Sequence, residues 1–183
     1  MKHIKKITLS ALMLLSMHNV ASASTCPAES YIQSAGEAFM GASRKGTAAA
    51  FSTAAGRYSD LHGVALFALG NYRRDLPKSR ETEYVARART FIGKFMAQYG
   101  SKFAGNSIAV TSCNEASGGL IVGTRLSSGQ NLTFRLRKAG SSYRVQDVSV
   151  SSIWLAQTMR GKFTSVLREN NGDIDALMSY LGK

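Results

Sequence analysis

The chain has 183 residues, with 23 Lys and Arg against 11 Asp and Glu, three histidines and two cysteines. A length of this order suits one domain with a real core, and the cationic excess favours anionic partners such as membrane surfaces, acidic protein faces or polyanions. So few histidines and cysteines leave little room for histidine-based catalysis or a thiolate metal centre.

Residues 1–23 read as an export signal. Lys2, Lys5 and Lys6 give a positive start, Ile7 to Met17 an apolar run, and Ala21-Ser22-Ala23 an A-x-A cleavage site before Ser24. The run is shorter than the roughly 20 residues that span a bilayer. Cleavage leaves residues 24–183, expected to form one exported domain with nine excess positive charges. Cys26 lies just beyond the signal, but Ser24-Thr25 before it suits a lipidation site poorly. Cys113 is the only other cysteine, and an oxidising compartment predicts a Cys26–Cys113 disulfide.

Helices come first. Tyr31, Ala35, Ala38, Phe39 and Ala42 recur at helical spacing and predict a helix from about Pro27 to Arg44. Thr47 can cap a second helix carrying Phe51, Ala54, Ala55, Tyr58 and Leu61 on one side. Gly63 to Tyr72 is apolar nearly all round, which predicts a buried helix ending at Arg73-Arg74-Asp75 before Pro77. The next, about Ser79 to Phe103, carries Tyr84, Ala88, Phe91, Phe95, Met96, Tyr99 and Phe103 as an apolar stripe, with Arg80, Arg87, Arg89, Lys94 and Lys102 on the wet side.

Four strands follow. Ile108 and Val110 open the first, and Leu120, Val122 and Leu126 mark the second. In the third, Leu132, Phe134 and Leu136 alternate with Thr133, Arg135 and Arg137. Short turns between them predict an antiparallel meander. In the fourth, Tyr143 and Val145 fall out of phase with Val148 and Val150, unless a bulge near Gln146-Asp147 restores the phase and curves the sheet. Helical spacing then returns in Leu155, Met159, Phe163, Val166 and Leu167, stops at Asn170-Asn171-Gly172, and resumes after Asp173 with Ile174, Leu177, Met178 and Leu181. The order of elements predicts an α+β fold: a curved antiparallel sheet of four strands or more, packed against several helices.

Little here can do chemistry. The exported part keeps one histidine, His62, placed where a structural role is expected, and no HExxH, P-loop or strand-borne GxGxxG occurs. Asp147 is the best-placed acid for a general base, but pairing with an arginine or bonding backbone at the bulge explains it more simply. No cofactor or metal is expected, and no aromatic platform interleaves the arginines as nucleic-acid binding would need. Arg73 and Arg74 at one corner, with Arg135 and Arg137 on the wet side of the sheet, are candidates for docking a partner; a solvated face is the plainer explanation.

ALGNYRR (Ala68 to Arg74), a Tyr-bearing helix ending MAQYG (Met96 to Gly100) and the closing block from Arg144 to Leu181 together resemble the MlaC/toluene-tolerance family of periplasmic proteins. The resemblance spans nearly all of the chain from about Thr47. Family members usually carry Glu-Gly-Val-Ser between the last strand and the helix, where this chain has Ser151-Ser152-Ile153-Trp154. The resemblance implies a curved sheet and helices around a deep apolar pocket. It also implies a periplasmic carrier of phospholipid acyl chains, working without cofactor between an inner-membrane ABC transporter complex and an outer-membrane lipoprotein complex. The expected pocket wall comprises Val64, Phe67, Leu69, Phe91, Phe95, Leu132, Phe134, Val148, Val150, Trp154, Met159 and Phe163. Alternatives are a binder of hopanoids or another apolar ligand, a basic envelope interaction module without lipid cargo, and an enzyme using Asp147 as base.

Overall fold

The computed structural model describes residues 26–100 and 103–182. The expected export signal lies outside them, as does Lys102. The architecture is α+β. Helices α1 (Glu29–Lys45), α2 (Ala48–Tyr58) and α3 (Leu61–Ala68) lead, through two short 3₁₀ turns at Gly70–Asp75 and Lys78–Arg80, to α4 (Glu81–Gly100). Strands β1 (Ile108–Ala116), β2 (Gly119–Leu126), β3 (Asn131–Ala139), β4 (Ser142–Val150) and β5 (Ile153–Trp154) follow, then α5 (Leu155–Glu169) and α6 (Ile174–Gly182).

Local chemistry sets the helix ends. Thr47 Oγ1 accepts from Ala50 N at 3.3 Å and starts α2. Ser59 then turns extended and bridges Val145 in β4, so α2 stops at Tyr58. Leu61 therefore belongs to α3 rather than to the face of α2 the sequence suggested. Asp60 caps α3, its Oδ1 accepting from Gly63 N at 3.2 Å. The apolar stretch expected to run as one helix to Tyr72 breaks after Ala68, because Gly70 takes a left-handed φ of 58° and the chain tightens into a 3₁₀ turn. The long helix is shorter than its stripe: α4 ends at Gly100 and Phe103 lies beyond it. At the end of α5, Gly172 N donates to Leu167 O at 2.7 Å, with Asn171 and Gly172 both left-handed, and Asp173 Oδ1 accepts from Asp175 N at 2.8 Å to open α6.

The sheet is a five-stranded antiparallel meander in the order β1-β2-β3-β4-β5. The bulge expected near Gln146-Asp147 is present. Arg135 pairs with Asp147 and Leu136 with Val145, leaving Gln146 unopposed. That extra residue puts Val145, Val148 and Val150 opposite Leu136, Phe134 and Leu132, so all six share one face. The two-residue strand β5 is an addition to the expected four. It pairs with β4 through Val150 and Ile153, across Ser151-Ser152.

Three apolar clusters hold these layers. One joins α3, α4, α5 and α6 through Leu66, Leu69, Tyr84, Phe163, Leu167, Leu177 and Leu181. Tyr84 sits wholly inside it and donates its hydroxyl to Ala65 O at 2.7 Å; burial pushes its pKa far above the ordinary value. A second seats α1 on the sheet through Ile32, Met40, Val122, Leu126 and Leu136. A smaller one gathers α1, α2 and α4 around Phe51. Cys26 and Cys113 are bonded, with Cα atoms 5.5 Å apart across 87 residues of sequence. In the loop-entropy account such a closure stabilises by about 4–5 kcal/mol. It ties the start of α1 to β1.

Candidate functional site: an apolar cavity

A cavity of about 440 Å³ lies between the helices and the concave side of the sheet. Its helical walls carry Phe39 and Met40 of α1, Phe51 and Ala55 of α2, Leu61 and Val64 of α3, and Ile92, Phe95, Met96 and Tyr99 of α4, with Phe103 beyond it. The sheet contributes Ile108, Leu132, Phe134, Val145, Val148 and Val150. Ile153, Leu155, Ala156 and Met159 complete the wall. The bulge at Gln146 makes this site: without the extra residue, Val148 and Val150 would point to the other side of the sheet. Two lining side chains, Tyr99 at 48% and Ile153 at 60% exposure, mark where the cavity meets solvent.

Polar groups on the wall are few: Ser59, Gln130, Gln146, Asp147 and Ser151. Asp147 is buried, and its Oδ1 accepts from both Val148 N and Ala156 N at 2.8 Å. Trp154, at the cap position of α5, has no side-chain acceptor to offer, so Asp147 caps that helix from the neighbouring strand. Burial raises its pKa above the ordinary carboxylate value, although these N–H donors and the Arg135 charge pull the other way. An acid so engaged is a structural cap. His62, exposed at the start of α3, pairs with Glu81 Oε1 at 2.7 Å. Among the described residues no group of His, Cys, Asp and Glu could hold a metal ion.

Of the side chains expected to form the wall, Val64, Phe95, Leu132, Phe134, Val148, Val150 and Met159 line the cavity. The others lie elsewhere. Leu69 and Phe163 are wholly buried in the α3–α6 core. Phe91 packs edge-on against Phe163, with ring centroids 5.3 Å apart, and lies beside Tyr180. Phe67 is exposed beneath Arg160, and the Trp154 ring carries Arg135 at 4.9 Å. The α4 stripe is split between two clients: Phe91 serves the core with α5 and α6, Phe95, Met96 and Tyr99 serve the cavity, and Ile92 touches both. Spacing gives both sets the same signal: Ile92, Phe95, Met96 and Tyr99 follow i, i+3, i+4, i+7, and Phe91 and Phe95 are themselves four apart. Phe39, Met40, Ile108 and Val145 were also missed as lining residues, being plain apolar positions on amphipathic elements.

The arginines considered for docking sit on different elements. Arg73 and Arg74 are exposed on the 3₁₀ turn after α3. Arg135 is held on Trp154, and Arg137 Nε bonds Asp60 Oδ2 at 2.9 Å.

Comparison with known proteins agrees with this architecture. No curated protein matches the sequence. A solved structure, that of a phospholipid-binding protein from Ralstonia solanacearum in complex with a phospholipid, superposes with a TM-score of 0.71 at 15% identity, covering 85% of this chain and 94% of that one. The family model described as MlaC protein matches residues 32–183. The chain belongs to the MlaC family.

Proposed function

We propose that the protein is a periplasmic lipid carrier that holds phospholipid acyl chains in the apolar cavity, leaves the headgroup at the rim near Tyr99 and Ile153, and moves lipid between outer-membrane lipoprotein and inner-membrane ABC transporter complexes. The observation that carries this reading is the wall itself: aliphatic and aromatic side chains drawn from α1–α5 and the sheet, with the one carboxylate committed to backbone. A volume of about 440 Å³ falls within the usual range of ligand sites. Family membership and the phospholipid in the structural neighbour support the same cargo. The wall offers hydrophobic contact with few polar groups, which fits binding and transport.

Magnitudes shape the mechanism. Each methylene removed from water gains about 0.8 kcal/mol, so a chain of some 15 carbons gains on the order of 10 kcal/mol against water. Release into water is therefore prohibitively slow, whereas a bilayer, which already shields the chain, can exchange it at small net cost. A partner must open or abut the rim for transfer to occur. With few polar groups there, headgroup selectivity should be weak.

Filling the cavity tests the reading. Val148→Trp places a large ring on the concave face of β4, and the variant should retain the fold while co-purifying with much less lipid, read by extraction and mass spectrometry. Unchanged lipid content in a folded variant would remove the cavity as the site.

A further inference from the structure

Outside the cavity, a cleft of about 910 Å³ lies between α2, α4 and the ends of β3 and β4. Its lining mixes the small apolar side chains of Ala48, Ala49 and Ala86 with the hydroxyls of Ser52, Thr82 and Thr90. Three guanidiniums border it, those of Arg89, Arg137 and Arg144, against the single carboxylate of Asp60. Arg137 is paired with Asp60. Arg89 and Arg144 make no ion pair among the described residues.

Neither guanidinium is held by an acid: both are anchored by backbone carbonyls, and that of Arg144 also bonds the Tyr31 hydroxyl. Arg89 Nε donates to Ser52 O at 3.1 Å, and Arg144 Nη1 donates to Arg57 O at 3.1 Å. A guanidinium has five N–H donors, so these contacts leave donors over on each, with side-chain freedom already reduced. A ligand that matches needs carboxylates for the arginines and small apolar groups for the alanines. A flat bilayer surface follows a depression poorly, and a free small anion would leave the alanines uncovered.

We propose that this cleft is a docking site for an acidic amphipathic segment of another protein. It stands whether or not the cavity carries lipid, because the cavity's occupant does not reach Arg89 or Arg144. The two sites share one wall, however: Ser59 and Leu61 border both. A partner seated here therefore touches a segment that also lines the cavity.

The test uses the full exported chain with labelled alanine methyls and, as probe, a synthetic helix of about 15 residues with Glu and Leu at amphipathic spacing. At low ionic strength the methyls of Ala48, Ala49 and Ala86 should shift saturably. Arg89→Gln with Arg144→Gln should weaken binding about tenfold, consistent with losing two partly exposed charge pairs. Arg168→Gln, an equal charge change on α5, should leave it intact, and Arg144→Gln alone guards against misfolding of the double variant. Silence of the cleft methyls, equal binding by the double variant, or equal shifts with phosphatidylglycerol vesicles would each overturn the proposal.

Discussion

Ser151 and Ser152 hold left-handed backbone, with φ of 50° and 67°, at the two-residue turn between β4 and β5. A hairpin of this length wants positive φ at both positions, which a β-carbon resists by about 1–2 kcal/mol per residue. Ser152→Gly should therefore raise stability by about 1 kcal/mol, read by urea unfolding; a loss of stability would mean that the serine makes a compensating contact. Asp147 gives a prediction with a sign. Its folded pKa is raised by burial, so relative to a neutral side chain it stabilises the fold fully below the unfolded value of about 3.9 and loses that contribution as pH rises through the higher folded value. Both of its hydrogen bonds go to one oxygen, which Asn can supply. Wild type should gain stability over Asp147→Asn as pH falls from neutral towards 4, and a difference that stays flat or reverses would refute this account of the carboxyl. Single residues were the least legible level of the sequence. The phase slip at Gln146 announced the bulge, but nothing along the chain said that Asp147 would reach across to Ala156, because that contact depends on where α5 lands.

At the level of elements, the α2–α3 junction does more than connect. Asp60 N donates to Val145 O at 2.8 Å, its Oδ1 caps α3 and its Oδ2 receives Arg137. Asp60→Asn keeps a capping side chain and loses only a partly exposed ion pair, so it should cost under about 1 kcal/mol. Asp60→Ala loses the cap too and should cost about 1–2 kcal/mol, with faster amide exchange at Leu61 and Gly63. Equal effects of the two variants would show that the cap contributes nothing. Periodicity located every helix and four strands, because amphipathic stripes survive in one dimension. It could not divide the α4 stripe between the core and the cavity, nor see that Ser59 would leave α2 to bridge β4. Both are settled by neighbours distant in sequence. The five expected wall residues outside the cavity lining share that origin: Phe67, Leu69, Phe91, Trp154 and Phe163 are apolar enough for a pocket, and packing sends them elsewhere.

For the whole molecule, the disulfide and the three apolar clusters form a frame around a space they do not fill. Cys26→Ala with Cys113→Ala should lower stability by about 4–5 kcal/mol through the 87-residue separation it no longer closes, read as a lower urea midpoint, and a change under about 1 kcal/mol would contradict the loop-entropy account. Fold class and family were legible in the sequence because the order of elements and the closing block from Arg144 to Leu181 carry them. The cavity was legible only in outline. Whether that space holds lipid is the central claim, and native mass spectrometry of the purified protein tests it most directly. The carrier reading predicts a population with bound phospholipid of mixed headgroups that is depleted in Val148→Trp; a protein that is lipid-free in every gentle preparation, with the same fold, would contradict it.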